Sequence, residues 1–373
     1  MRILLIFILI LSGCRHHHVK ITNDGNFLFY NSPNVISVDG EMVVAYLNSS
    51  GQIIVQTMKG SKTVVHEYYE EINRKIGFAD DHAAPAIILD ENLGEILVAT
   101  AYHGTDLHLY RLNPTSLETT SYKMIEGRFT YPRFLQKKRE TILAIRNHKS
   151  RAGKLVLLRS SDGFETEETV LSPNTGEFVY AGSVAESKDG LVFHYSINSR
   201  KDRRLRGWVL SEYNTTTKEI SNSCDLSYLI TDENISNRPT GISQNNGLIV
   251  AATAYFDENN LKKPAGVFSR ENLVLVVKGN LSDCKGFSKL KSDKTLAPYY
   301  HSSIAVGDDL EFAYFSNDTL ISSADLHHCV SNFTSALYPT LFKGIYYAKM
   351  NEEHYQIRNF DNSLYYCAEK PRS

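Results

Sequence analysis

Two histidines, a tyrosine and an arginine punctuate one stretch of this chain. They are His82 in Asp80-Asp81-His82-Ala83-Ala84-Pro85, His103 in Tyr102-His103-Gly104, Tyr131 in Thr130-Tyr131-Pro132, and Arg146 in Ile145-Arg146-Asn147-His148. Together these residue types suit β-elimination beside a carboxylate. The proton to be removed sits next to a group that is already negative, so the carboxylate must be neutralised while enolate-like charge develops. The planar, permanently charged fork of Arg146 matches a carboxylate. A histidine near neutral pKa can take the proton, and Tyr131 can protonate the leaving oxygen or share both tasks. Singly, each has an ordinary explanation. Strand-end tyrosines pack, lone histidines are structural, Arg133 can pair with Glu140, and Arg238 with Asp232 or Glu233. The four together argue for chemistry.

Short apolar runs such as Ala86-Ile87-Ile88-Leu89 and Ile96-Leu97-Val98-Ala99 separate these polar clusters. No long amphipathic helix is evident from Asn34 onward, and turn signals such as Asp39-Gly40 and Asn245-Asn246-Gly247 are dense, the pattern of successive hairpins. The hairpins repeat. Strands start near Asn34, His82, Tyr131, Tyr180, Arg238 and His301, roughly fifty to sixty residues apart, a period that indicates a β-propeller. Strands near residues 344–347, 354–358 and 364–366 look like part of one more repeat, which an N-terminal strand at 27–30 would complete and close. The expectation is an all-β, seven-bladed β-propeller over residues 27–373, with six or eight blades as the alternatives. A two-sheet jelly roll would not give this period.

In a propeller, the start of each innermost strand and the end of the next strand meet at one mouth. That topology gathers His82, Tyr131, Tyr180, Arg238 and His301, with His103, Arg146 and Tyr195 just outside them. Arg200, Lys201, Arg203, Arg204 and Arg206 follow the strand that ends at Tyr195. They form either a solvated hairpin loop or a receptor for sulfate. The candidate catalytic residues are therefore His82, His103, Tyr131 and Arg146. Tyr180, Tyr195, Arg204, Arg238 and His301 are the candidate substrate-binding residues.

The His82 motif, His103, the Thr130-Tyr131-Pro132 step and Arg146 resemble the propeller-type ulvan lyases, which are similar to the wider BNR-repeat group. The motif likeness covers residues 80–146, and the repeat extends it over most of the chain. The resemblance implies a seven-bladed propeller that cleaves beside a uronic acid in a rhamnose-3-sulfate-containing polysaccharide. It also implies that His82 and His103 are the active-site histidines, Tyr131 the active-site tyrosine and Arg146 the carboxylate-binding arginine. The His103-to-Tyr131 spacing is shorter than in that family, which leaves Tyr180 or Tyr195 as alternatives to Tyr131.

Two other readings compete. A sialidase-type hydrolase needs a glutamate paired to its tyrosine and repeated Asp-box turns. Here only Arg159-Ser160-Ser161-Asp162-Gly163-Phe164 comes near such a turn, one residue short. Paired-carboxylate hydrolysis is disfavoured by His, Tyr and Arg at the mouth. A non-catalytic glycan-binding lipoprotein would use aromatic platforms, for which Tyr255, Phe256, Tyr299 and Tyr300 are candidates. Elimination requires no cofactor. A structural divalent metal is a further option, from His327-His328-Cys329 with His301 and Cys284, although the spacing matches no recognised zinc motif.

The formal net charge of −2 gives no reason to expect nucleic acid or anionic lipid as a partner. The expected partner is an acidic polysaccharide, bound by a monomer. Residues 1–13 read as an export signal, because their apolar run is too short to span a bilayer. Leu11-Ser12-Gly13-Cys14 resembles the bacterial lipobox. That implies a lipid anchor on Cys14, a tether over residues 14–26, and a place on the bacterial (outer) membrane or cell surface, with plain secretion as the alternative. Cys224, Cys284, Cys329 and Cys367 suit two disulfides in an exported protein. N-x-S/T sequons begin at Asn48, Asn214, Asn234, Asn280, Asn317 and Asn332. They are incidental in a lipoprotein and glycosylation sites in a glycosylated secreted protein.

Overall fold

Runs such as Val43-Val44-Ala45 and Ile53-Ile54-Val55 are buried along their whole length. Consecutive burial, rather than alternation, is what strands show when a sheet is covered on both faces. The structure, a computed structural model, describes residues 18–26, 31–69, 81–102, 104–137, 140–148, 153–160, 163–172, 177–199, 205–230, 235–257, 270–297, 304–316, 319–323, 336–341, 344–350 and 362–368.

The architecture is all-β and propeller-like. β1 (His18–Thr22) precedes a sheet of β2 (Val35–Val38), β3 (Glu41–Leu47), β4 (Gln52–Thr57) and β5 (Lys62–Glu67). A seven-stranded sheet follows, formed by β6 (Ala86–Asp90), β7 (Glu95–Thr100), β8 (Thr105–Leu112), β9 (Thr119–Lys137), β10 (Glu140–Asn147), β11 (Lys154–Arg159) and β12 (Glu167–Leu171). Next come β13 (Glu177–Glu186), β14 (Gly190–Ser199), β15 (Leu205–Asn214) and β16 (Glu219–Asp225), then β17 (Ile235–Asn245), β18 (Leu248–Asp257), β19 (Arg270–Asn280) and β20 (Asp283–Ala297). A three-stranded sheet holds β21 (Ile304–Val306), β22 (Phe312–Ser316) and β23 (Thr319–Ser322). The last contains β24 (Ala336–Leu341), β25 (Gly344–Met350) and β26 (Asn362–Ala368), with β1 paired to β26.

β9 serves two units. Its residues up to Ile125 pair with β8, those from Phe129 to Lys137 pair with β10, and Phe129 faces both Thr105 and Asn147. The strands β2, β6, β9, β13, β17, β21 and β24 contact one another in that order, as an inner row. The core lies between successive sheets. Ile142, Leu155 and Leu157 pack against Val179, Leu191 and Phe193, and Val192, Trp208 and Leu210 against Ile249, Leu275 and Val277. Each such side chain contributes about 1.5–3 kcal/mol on burial.

Two details differ from expectation. A strand within the expected tether, β1, pairs with β26 of the C-terminal sheet; the 27–30 run lies outside the described residues. A disulfide, Cys224–Cys284, ties β16 to β20, so Cys284 is not a metal ligand. Cys367 is also disulfide-bonded, with its partner outside the described residues. His327, His328 and Cys329 lie outside them too, as do residues 1–17 with the signal and Cys14. Among the described residues, no group of three His, Cys, Asp or Glu is placed to hold a metal.

The sequons that fall in described turns have structural work. Asn214 Oδ1 accepts from the N–H groups of Thr216 and Thr217, and Asn280 Oδ1 from that of Ser282. Asn48 and Gln52 bond each other across the β3–β4 turn. Asn113, which begins no sequon, makes the same turn with Thr115 and Ser116. An asparagine followed by Ser or Thr is here a hairpin signature.

Candidate functional site

The inner strands do not run straight into the mouth. In β9, Arg133 faces Ala144 and Thr130 faces Arg146, so Tyr131 and Pro132 together oppose Ile145. This is a β-bulge, with Tyr131 at φ +64. Such a conformation costs a non-glycine residue roughly 1–3 kcal/mol, and bulges beside sites re-aim a side chain. Pro132 offers no N–H to the ladder and so fits this interruption. β13 and β17 carry equivalent bulges at Gly182-Ser183 and Thr240-Gly241. His82 sits on the single-turn 3₁₀ helix Asp81–Ala83, immediately before β6.

These devices bring five sequence-selected residues together. The Tyr131 and Tyr180 hydroxyls are hydrogen-bonded at 2.8 Å, and the His82 ring centre lies 5.5 Å from that of Tyr131. Arg238 places its guanidinium carbon 4.3 Å from the centre of the Tyr180 ring, and Arg146 places its own at 5.3 Å. Both are within cation–π range. Arg146 is buried at the end of β10, next to Gly153. A Cβ on Gly153 would lie 2.6 Å from Arg146 Nε, and its φ is +63. Only glycine lets the guanidinium rest there.

Burial pushes the Tyr180 phenol up, yet Arg238, His82, the Tyr131 hydrogen bond and Arg146 outweigh it and hold the phenol below its ordinary value. The arrangement can therefore carry a proton between two phenols, present an imidazole beside them, and offer two guanidinium groups to an anion.

Tyr195 is not part of this cluster. Side chains alternate along a strand, and Tyr195 packs with Ile142, Leu155 and Leu157 of the preceding sheet. Its hydroxyl bonds Ser211 at 2.9 Å. His103, Arg204 and His301 lie outside the described residues. Gly104, the residue after His103, donates its N–H to Phe129 O and Thr130 Oγ1 beside Tyr131. The Arg133–Glu140 pair does not form, because Glu140 bonds Arg159 at 2.6 Å. Asp232, Glu233, Tyr299 and Tyr300 lie outside the described residues.

Sequence reading passed over Asn31, whose buried side-chain amide donates to His82 O and Ala84 O and so pins the turn that carries His82. The available signal was Pro33, Pro85, Pro132, Pro239 and Pro339, which recur where inner strands begin or bulge.

With fold and geometry established, comparison places the chain among known proteins. The family model described as "BNR repeat-containing family member" matches residues 42–253, and the chain belongs to that family. No protein of curated function matches by sequence. Among solved structures, a polysaccharide lyase described as a PL25 ulvan lyase aligns with TM-score 0.66 at 12% identity, covering 95% of this chain and 96% of that one. The same enzyme type bound to -[GlcA(1-4)Rha3S]- gives 0.65 at 12% identity over the same shares. An oligogalacturonate lyase in complex with manganese gives 0.55 at 9%, covering 95% and 93%. The fold is polysaccharide-lyase-like.

Proposed function

We propose that this protein is a polysaccharide lyase of seven-bladed β-propeller form that cleaves a uronate-containing, sulfated, ulvan-like polysaccharide by β-elimination. The observation that carries the reading is the Tyr131–Tyr180 hydroxyl pair held between His82 and the guanidinium groups of Arg146 and Arg238. The blade number is supported by the inner row of strands, once the shared strand β9 is counted as the last strand of one blade and the first of the next.

In this reading Arg146 neutralises the uronate carboxylate, so that charge developing at C5 is stabilised. His82, with His103 as its companion, removes the C5 proton. The C4–O bond breaks, its electron pair leaves with the oxygen, and the C5–H pair becomes the C4=C5 double bond. Tyr131 protonates the departing oxygen and regains a proton through Tyr180. Arg238 binds the same or a neighbouring acidic group, while Arg204 and His301 extend the binding face. No cofactor is required, and the enzyme works as an exported monomer anchored through Cys14.

The test is to mix purified protein with ulvan, alginate, glucuronan, pectate and a glycosaminoglycan, following the ultraviolet absorbance of the unsaturated product. A rise with ulvan alone is expected. A rise with another polymer would change the substrate and keep the reaction. New reducing ends without absorbance would replace the lyase by a hydrolase, and retention of unchanged polymer would make the protein a binding module.

A further inference from the structure

Beneath the mouth lies a second layer of polar contacts that joins the same strands. Arg133, only 5% exposed, follows the Tyr131-Pro132 bulge by one residue. Its guanidinium donates to Ser32 Oγ at 3.1 Å and to Ser183 Oγ at 2.9 Å. Ser183 Oγ donates in turn to Thr240 O. The main chain closes the other side, with Ser32 N–H bonded to Pro132 O at 3.2 Å and Phe134 N–H to Ser32 O at 2.8 Å.

Each segment in this layer also bears or supports a site residue. Ser32 adjoins Asn31, which holds the His82 turn; Ser183 follows Tyr180 by three positions on β13, and Thr240 follows Arg238 by two on β17. Both bonds leave one nitrogen, Nη1, whose two N–H directions are fixed by the planar guanidinium, whereas the donors of an ammonium rotate freely. His194 lies opposite the β13 bulge and accepts from Trp208 Nε1. Burial and the nearby Arg133 charge keep it uncharged at neutral pH, down to about 3, so this layer holds one fixed cation and not two competing ones.

We propose that Arg133 is a positioning residue. By clamping Ser32 and Ser183 it sets the separation of β9 from β13 and β17, and so the contact of the Tyr131 and Tyr180 hydroxyls under the two arginines. Its effect on turnover rests on the lyase reading; its effect on the phenols does not.

The experiment therefore has two readouts. Spectroscopic titration of tyrosinate in the full chain should show one tyrosine ionising early, and Tyr180→Phe should abolish that phase. Among the described residues, the groups facing Tyr180 are Arg238, His82, Tyr131 and Arg146, all of which Arg133→Lys leaves in place. Arg133→Lys keeps the charge and loses the planar nitrogen whose fixed N–H directions hold both hydroxyls. It should move the early phase toward the ordinary tyrosine range near 10, and lower kcat by roughly 10²-fold, the scale of a 1 Å misplacement, with KM little changed. Ser183→Ala, which removes one clamp point, should shift the phase the same way by less and serves if Arg133→Lys does not fold. A folded Arg133→Lys or Ser183→Ala protein with the parent titration curve overturns the proposal. Absence of lyase activity on every polymer, with the titration shift intact, overturns the functional reading and leaves the positioning role standing.

Discussion

The molecule contains two clusters built from the same residue types, and they behave in opposite ways. At the mouth, His82, Tyr131 and Tyr180 meet beneath Arg146 and Arg238, and the Tyr180 phenol is drawn down. At the seam between the first two sheets, His66 bonds Tyr110 at 2.6 Å and His108 bonds Tyr122 at 3.0 Å, with the histidine rings 4.2 Å apart. There burial pushes Tyr110 up, helped by Tyr122, and burial pushes His66 down to about 3, helped by His108. Histidine and tyrosine in contact thus define no chemistry by themselves. Guanidinium groups over the ring turn a packed phenol into one that can ionise.

Substitutions can break this contrast, beginning with the largest effect. Arg146→Ala should lower turnover on the active polymer by roughly 10³-fold, the scale of losing one preorganised charge-stabilising group, while the thermal transition stays near that of the parent. Parent-like turnover would remove Arg146 from the mechanism. Tyr131→Phe should cost about 10²-fold in kcat and leave polymer retention on an affinity gel unchanged. Full activity would move the acid role to another residue. Gly153→Ala, which crowds Arg146 without removing it, should cost roughly tenfold, seen as a fall in kcat/KM.

The smallest effects belong to the seam. Tyr110→Phe should leave turnover unchanged and lower stability by about 1 kcal/mol, the worth of one hydrogen bond, read from urea unfolding. The seam and the layer beneath the mouth should also respond to acid. His66 and His194 are both held from an ordinary 6.5 down to about 3. As pH falls through 6.5, the unfolded chain takes up protons that the folded chain refuses. Stability is therefore fully present above that value and declines toward about 3. The urea midpoint should drop accordingly between pH 7 and pH 5, and less so in His66→Gln.

Much of this was legible in the sequence, because a repeat converts distance along the chain into proximity. The starts of successive inner strands meet, so His82, Tyr131, Tyr180 and Arg238 could be gathered without coordinates. What failed was side-chain direction. Tyr195 ends a run as Arg146 does, yet points into the layer against the preceding sheet. Arg133 looked like a hairpin ion pair, but the Tyr131-Pro132 bulge beside it breaks the simple alternation on which such pairing rests. Bulges insert one residue on one strand, and no periodicity records them. The prolines that mark them here show only once the strands are aligned.

β9 carries one further consequence. Since a single unbroken strand joins β6–β8 to β10–β12, the elements bearing Tyr131 and Arg146, and the one that follows His82, share one hydrogen-bonded sheet. Opening β9 frays both halves together. In hydrogen exchange, the amides of β6–β12 should therefore lose protection as one cooperative unit, while the sheets of β13–β16 and β17–β20, tied by their own disulfide, exchange as another. The block bearing Tyr131 and Arg146 would then melt as one, and partial unfolding would disperse the cluster without first dismantling the remaining sheets.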